Sequence, residues 1–277
     1  MKYRHSYHAG NFADVHKHVT LLALLAALAR KDKGFLYFET HAGSGEYAAS
    51  DEADAGISRI GTATFQAQEL RRYLTSIAAF RKSRGSTRSY PGSPVLAAHE
   101  LRAQDRGIAV EIQPPEARAL ERALGPGSPM RVETGDGFQR LRAHLPPPER
   151  RGLVLMDPPY EETRQDFERV TAAIVDGLRR FDSGVFCAWY PIKEERDGAS
   201  WKAGLTRALN REVLFSELWI YPRDSRVGLN GSGLAIVNPP YQVEERMNAW
   251  LPELHAALDS ARAGGCAVEL ARADIPR

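Results

Sequence analysis

Asp157-Pro158-Pro159-Tyr160 carries the clearest chemistry in the chain. It stands directly after the apolar run Leu153 to Met156, so the Asp157 carboxylate would emerge at the end of a buried strand. Two consecutive prolines lack backbone donors and restrict the residues before them, which turns their carbonyls outward as acceptors. An exocyclic amino group could then give one hydrogen to Asp157 and the other to the Pro158 carbonyl. Held in that way, the nitrogen lone pair points at an electrophile and is discouraged from delocalising into a ring. Tyr160 is read as a stacking platform for a splayed-out base. A plain structural turn would also use Pro-Pro, but the features upstream weigh against it. A second motif, Asn238-Pro239-Pro240-Tyr241, has a carboxamide in place of the acid and follows the last apolar run. It is read as a turn at the sheet edge.

Three other features stand at strand ends in the order that a nucleoside-bearing cofactor requires. Phe35 to Phe38 leads into Thr40-His41-Ala42-Gly43-Ser44-Gly45, where Gly43 and Gly45 let the backbone approach a ligand and helix-start amides would face its negative charge. Glu111 ends the second run, where a carboxylate can accept hydrogen bonds from two ribose hydroxyls. Asp136-Gly137 follows the third run, placed to contact an adenine ring. Each alone has a plainer explanation: a tight turn, or an acid kept solvated or capping a helix. Together with Asp157 they point to methyl transfer from S-adenosylmethionine to an exocyclic nitrogen. No metal is expected: His16 and His18, at i and i+2, face apart on a helix, and no carboxylate or Cys cluster completes a site with them or with His5 and His8.

The elements that must position these residues alternate. Apolar runs at Phe35 to Phe38, Ile108 to Ile112, Arg131 to Glu133, Leu153 to Met156, Val185 to Trp189, Leu214 to Ile220 and Leu234 to Val237 read as strands. Helical patterns at Pro94 to Arg102, Pro115 to Leu124, Phe167 to Phe181 and Trp201 to Leu209 separate most of them. The expected fold is α/β, a doubly wound Rossmann-like sheet of the class I methyltransferase type, in the order 3-2-1-4-5-7-6. The last two strands lack a helix between them and predict a closing hairpin, with an antiparallel strand at the sheet edge. Residues 46–89 interrupt the first crossover with helical periodicity around Phe65 to Phe80 and are read as a small helical insertion. That leaves residues 1–45 as an N-terminal segment, helix and first strand, and residues 90–277 as the remainder of the core. Residues 12–32 are read as an amphipathic helix docked on the sheet. The resemblance of Ala27-Leu28-Ala29 to a cleavage site is discounted because Asn11, Asp14 and nearby histidines precede the apolar run.

Composition sets the frame for these readings. The chain has 277 residues, 43% of them hydrophobic and 26% charged, enough for one large domain with an insertion. Cys187 and Cys266 have no paired spacing, which excludes a disulfide framework and fits a reducing cytoplasm. Lys plus Arg is 37 and Asp plus Glu is 35, so any polyanion-binding surface must be local. Two segments qualify: Tyr3-Arg4-His5, mixing stacking and cationic groups, and the basic end of the insertion at Arg81, Lys82, Arg84 and Arg88.

The sequence also resembles, over nearly its whole length, the ribosomal large subunit methyltransferase J family. The resemblance rests on Tyr3-Arg4-His5-Ser6, His8-Ala9-Gly10-Asn11, Ala13-Asp14-Val15 with Lys17-His18, and Phe35-Leu36-Tyr37 with Thr40-His41-Ala42-Gly43. Further along it rests on Tyr90-Pro91-Gly92-Ser93-Pro94, Asp136-Gly137-Phe138-Gln139, Arg150-Arg151-Gly152-Leu153, Asp157-Pro158-Pro159-Tyr160, Trp189-Tyr190-Pro191 and Asn238-Pro239-Pro240. It implies methylation of N6 of an adenine in 23S ribosomal RNA, with S-adenosylmethionine bound by His18, His41, Ser93, Glu111, Asp136 and Gly137 and with Asp157 as catalytic acceptor. Ser93-Pro94 also reads as a helix start presenting free amides. Tyr3, Arg4, His5, Lys17, Arg81 and Lys82 are the residues expected to meet RNA. The chain departs from the family pattern at Phe12, at Tyr241 and in a shortened insertion. A cytoplasmic monomer, free of membrane and metal, is expected. The competing readings are a DNA adenine-N6 or protein glutamine methyltransferase, and a non-catalytic nucleic-acid-binding protein of the same fold.

Overall fold

A computed structural model describes residues 9–49, 56–161, 163–193, 195–222, 225 and 228–272. Tyr3, Arg4 and His5 lie outside the described residues. Helix α1 (Phe12–Ala29) leads into strand β1 (Leu36–Glu39), followed by β2 (Glu46–Ala48), α2 (Ile57–Ile60), α3 (Gln68–Arg84) and β3 (Ser89–Pro91). The chain then alternates through α4 (Ser93–Glu100), β4 (Arg106–Glu111), α5 (Pro114–Leu124), β5 (Met130–Thr134), α6 (Gly137–His144), β6 (Gly152–Met156), α7 (Thr163–Arg180), β7 (Val185–Ile192) and α8 (Glu195–Leu209). It closes with β8 (Val213–Trp219), β9 (Gly231–Val237), α9 (Val243–Leu258) and β10 (Gly265–Ala271).

Eight strands form one sheet in the order β10-β8-β9-β7-β6-β1-β4-β5, and β2 pairs with β3 in a separate ladder. Leaving that ladder and β10 aside, the order is 3-2-1-4-5-7-6. β5, β4, β1, β6 and β7 are parallel; β9 runs antiparallel between β7 and β8, and β10 is antiparallel to β8. The expected closing hairpin is present, but its antiparallel strand β9 is interior, and the edge belongs to β10. β6 reads Gly-Leu-Val-Leu-Met and is buried throughout, as a strand covered on both faces must be. Leu153 and Leu155 enter the core layer that holds α1, α4, α5 and α9, while Val154 and Met156 enter the layer of α7 and α8.

Helix α1 differs from the amphipathic element expected. Its N-cap Asn11 accepts from the amides of Ala13 and Asp14, at 3.0 and 3.1 Å. Beyond that cap it is buried on nearly every face, packed by α3, α4, α9 and β9. Its length and apolar composition would also suit a membrane span, but 83% of it lies inside the fold. The residues between β1 and α4 return to their starting point: the β2–β3 ladder closes them, and Gly92 N donates to Gly45 O at 2.7 Å. The periodicity around residues 65–80 corresponds to α3, whose Leu70, Tyr73, Ile77 and Phe80 form one buried face.

Candidate active site

The C-terminal ends of β4, β1 and β6 bring Glu111, the Thr40–Gly45 loop and Asp157 to one rim of the sheet, and the longer β7 passes this rim with Trp189 level with Asp157. Gly43 and Gly45 have φ of 63° and 76°, and an added Cβ would lie 2.1 Å from the Tyr47 hydroxyl and 2.5 Å from Leu120 Cδ1, so both positions require glycine. The loop does not open into a helix, as its spacing led us to expect; it runs into β2. The helix start is supplied by α4, which the β2–β3 ladder delivers beside Gly45, with Ser93 in its first turn.

Each carboxylate on this rim already holds something. Glu111 accepts from Gly43 N and Gln113 N, both at 2.8 Å, and so fixes the glycine loop against β4. Asp136 caps α6, accepting from Phe138 N at 2.9 Å and Gln139 N at 3.1 Å, with Gly137 buried behind it. Reading by residue type alone missed Glu39, the last residue of β1. It is fully buried, accepting from Tyr37 Oη at 2.7 Å and from the Ser93 hydroxyl. Burial pushes its carboxyl up to about 8, against the two hydrogen bonds. Ser93 therefore spends its hydroxyl on Glu39. An acid closing an all-apolar strand just before a glycine loop was the available signal.

Asp157 lies beside β1's loop, and its Oδ2 is 2.5 Å from Lys17 Nζ. Lys17 also contacts Asp14 Oδ1 at 2.9 Å, and Asp14 Oδ2 accepts from Gly10 N at 3.0 Å. Burial works against the Lys17 ammonium, but the two carboxylates more than offset it and hold its pKa well above the usual lysine value. Lys17 is therefore not the RNA-facing cation that was expected; it is an internal partner of the catalytic candidate. Its position in the second turn of a helix packed on nearly every face, towards the strand ends, is the reason. Pro158 is buried and Pro159 exposed.

His41 contacts Thr40 Oγ1 at 2.7 Å and meets Phe138 edge-on; burial pushes it down to about 4, so it is neutral at physiological pH. His18 is sealed in the fold, its Nδ1 2.9 Å from Tyr90 Oη, which in turn is 2.9 Å from Tyr73 Oη. His16 places its ring nitrogens 3.0 and 2.9 Å from the hydroxyls of Ser232 and Ser216.

Tyr160 departs from its expected role. It is 2% exposed, its hydroxyl donates to Trp189 O at 2.6 Å, and its ring packs against Phe167 and Trp189. With both the ring and the hydroxyl committed, it anchors the Pro-Pro loop to the core and presents no stacking face. Asn238 is likewise structural, for a stronger reason than an edge position. Because β9 is antiparallel, Asn238 emerges at the opposite rim, where its carboxamide donates to Asp182 O and Gly184 O, both at 2.8 Å.

The basic residues near the end of α3 are mixed in character. Arg81 Nε donates to Ser89 O at 3.2 Å, and Arg84 pairs with Glu46 at 2.9 Å. Lys82 and Arg88 are exposed. Cations in a last helical turn also complement the helix dipole, which is a structural reason for part of the cluster.

The rim as a whole fits a cationic nucleoside ligand. It offers a glycine cradle too narrow for a Cβ, a helix start at Ser93, and acids at Glu111, Asp136 and Asp157 suited to a diol, an ammonium and a sulfonium.

Comparison with known proteins agrees with this geometry. The family model described as "Ribosomal RNA large subunit methyltransferase D, RlmJ" matches residues 32–271. Ribosomal RNA large subunit methyltransferase J of Escherichia coli (strain K12) is 40% identical over 97% of this chain and 98% of its own. The protein of that name from Haemophilus influenzae is 37% identical with the same coverage. The crystal structure of protein LPL1258 from Legionella pneumophila superposes with a TM-score of 0.85 at 32% identity, covering 95% of this chain and 98% of that one. With its rim of acids and glycines on a class I sheet and near-complete matches of this kind, the chain belongs to the RlmJ family of ribosomal RNA large subunit methyltransferases.

Proposed function

We propose that this protein transfers a methyl group from S-adenosylmethionine to N6 of an adenine in 23S ribosomal RNA. The observation that carries the reading is Asp157, placed at the end of β6 beside the β1 glycine loop with one carboxylate oxygen held by Lys17. The cofactor, when bound, supplies the methyl of its sulfonium. Asp157 accepts one N6 hydrogen on its other oxygen and the Pro158 carbonyl accepts the second, which aims the lone pair at the methyl carbon. The proton that N6 sheds as its new bond forms leaves through the Asp157 oxygen that holds it. Glu111 receives the ribose hydroxyls, Asp136 and Gly137 border the adenine, and His41 and Ser93 complete the cofactor site, with the buried His18 behind them on Tyr90. Gly43 and Gly45 give it backbone access.

Tyr3, Arg4 and His5, by their stacking and cationic side chains, and Arg81 with the exposed Lys82 at the end of α3, are the residues assigned to RNA binding. A ribosomal RNA substrate favours a cytoplasmic protein. The test is methyl transfer to naked 23S transcript, to duplex DNA and to protein, followed by nuclease digestion and mass spectrometry. N6-methyladenosine from the transcript is the expected product; modified DNA or glutamine in its place overturns the reading.

A further inference from the structure

With Tyr160 committed to the core, a base delivered to Asp157 has no stacking partner in the Pro-Pro loop. The neighbouring strand has one. β6 and β7 pair in register through Met156 and Ala188, which puts Asp157 and Trp189 at the next level of the same rim. Leu155 and Cys187, the residues two positions earlier, enter the same core layer, so Asp157 and Trp189 continue on the same sheet face. Trp189 is half-buried there.

The indole is also anchored. Nε1, which can only donate, bonds the Ser232 hydroxyl at 2.9 Å. Ser232 lies 3.0 Å from His16 Nδ1, and His16 Nε2 lies 2.9 Å from the Ser216 hydroxyl. Ser232, His16 and Ser216 are all fully buried. Burial pushes His16 down to about 3, so the chain of bonds holds across the physiological range without a buried charge. Tyr160 meets the indole edge-on with ring centroids 5.7 Å apart and donates to the Trp189 carbonyl, fixing its backbone as well. A core plug needs neither device.

We propose that Trp189 is the base-binding platform of this site, the flat surface on which the target nucleobase lies while Asp157 holds its amino group. This rests on the reading of Asp157 given above. The two residues divide the recognition: stacking accepts any base, and the carboxylate with the Pro158 carbonyl selects one that carries an exocyclic amine. The anchor through Ser232 fixes the ring before the base arrives, so little side-chain freedom is lost on binding.

The experiment is a binding cycle. Wild type, Trp189→Ala and Trp189→Phe are titrated with an RNA fragment carrying the methylated adenine and with the same fragment made abasic at that position. Trp189→Ala should weaken binding of the adenine-bearing RNA by roughly 5- to 150-fold, the range for loss of one stacked base, and leave abasic RNA unaffected. Trp189→Phe should retain most of the difference. Equal losses on both RNAs, or none on either, overturn the proposal. If Trp189→Ala does not fold, Trp189→Leu, which keeps apolar bulk without a flat ring, decides: a loss confined to the adenine-bearing RNA supports the platform, and no such difference overturns it. Asp157→Ala assayed alongside separates the two readings. If that variant keeps full turnover, the placement of the site is wrong; if it loses turnover while the Trp189 cycle shows nothing, only the platform is.

Discussion

Lys17 Nζ and Asp157 Oδ2 meet at 2.5 Å, with 5% of the one side chain and 16% of the other exposed. The contact ties α1 to the end of β6, so the carboxylate that would receive the substrate is oriented by a helix from elsewhere in the chain.

Lys17→Met should therefore lower turnover far more than cofactor affinity, because a displacement of about 1 Å at a reacting group can cost on the order of a hundredfold in rate. Stability should fall by about 3 kcal/mol, the low end for breaking a buried pair, since Asp157 can recover some water at the rim. Lys17→Arg should not rescue, because a planar guanidinium does not fit a pocket built around a point charge. Single-turnover kinetics with urea denaturation measures both; unchanged turnover would remove the positioning role. The Lys17 pKa is raised, so its contribution is complete below the unfolded lysine value of about 10.4 and is lost only above that.

The two Pro-Pro-Tyr motifs should part company on mutation. Asp157→Ala is expected to keep cofactor binding and lose methyl transfer. Asn238→Ala is expected to keep transfer and lose about 1–3 kcal/mol of stability, because two backbone carbonyls lose their donor and φ of 54° suits Asn better than Ala. The reverse pattern in paired melting and activity assays would exchange their roles.

Glu39 makes the fold's stability depend on pH in an identifiable window. Its folded value of about 8 lies above the ordinary 4.5, so the native state binds the extra proton and stability falls as pH rises between the two. His16 and His41, lowered to about 3 and 4, act in the opposite sense, with stability rising up to about pH 6.5. The Glu39 effect should therefore stand clear from about pH 6.5 to 8, with a slope of at most about 1.4 kcal/mol per pH unit. Denaturant titrations at several pH values should show that slope in the wild type and its loss in Glu39→Gln. An identical slope in both proteins would mean that Glu39 ionises normally.

On the RNA side, Arg81→Gln with Lys82→Gln should reduce the salt dependence of binding by roughly one unit of slope rather than two. Lys82 is exposed, whereas Arg81 already gives its Nε to Ser89 O. Binding measured across a salt series decides, and an unchanged slope would assign the cluster to capping α3.

The strand-end acids and the glycine loop were legible because each lies next to a run of apolar residues whose period marks it as a strand. What could not be read is what those side chains touch. Nothing in Ala13-Asp14-Val15-His16-Lys17 tells which helix face will meet Asp157, since that depends on α1 being packed all round. Tyr160 carried the chemistry of a platform, and only the position of Phe167 and Trp189 shows it turned inward. β10 escaped because its pairing with β8 joins residues about fifty apart, with no local turn to announce it. α9 was obscured by Pro252 in its middle, although Val243, Met247, Trp250, Leu251, Leu254 and Leu258 keep helical period.

After the glycine loop the chain departs at Gly45 and comes back at Gly92, just before α4, and these two residues are hydrogen-bonded to each other. For the sheet, everything between them is a detour with its entrance and exit at one address. Doubling the length of a flexible loop costs only about 0.6 kcal/mol in closure entropy, and here the closure is already made by the ladder. Residues can thus be added or removed along the exposed parts of the detour without retuning the glycine loop or the start of α4. The exception is the face of Leu70, Tyr73, Ile77 and Phe80, which belongs to the core and ties the detour to the rest of the molecule. Relatives of different length can share one active site for this reason: variation is cheap where the chain is merely travelling and costly where it is packed.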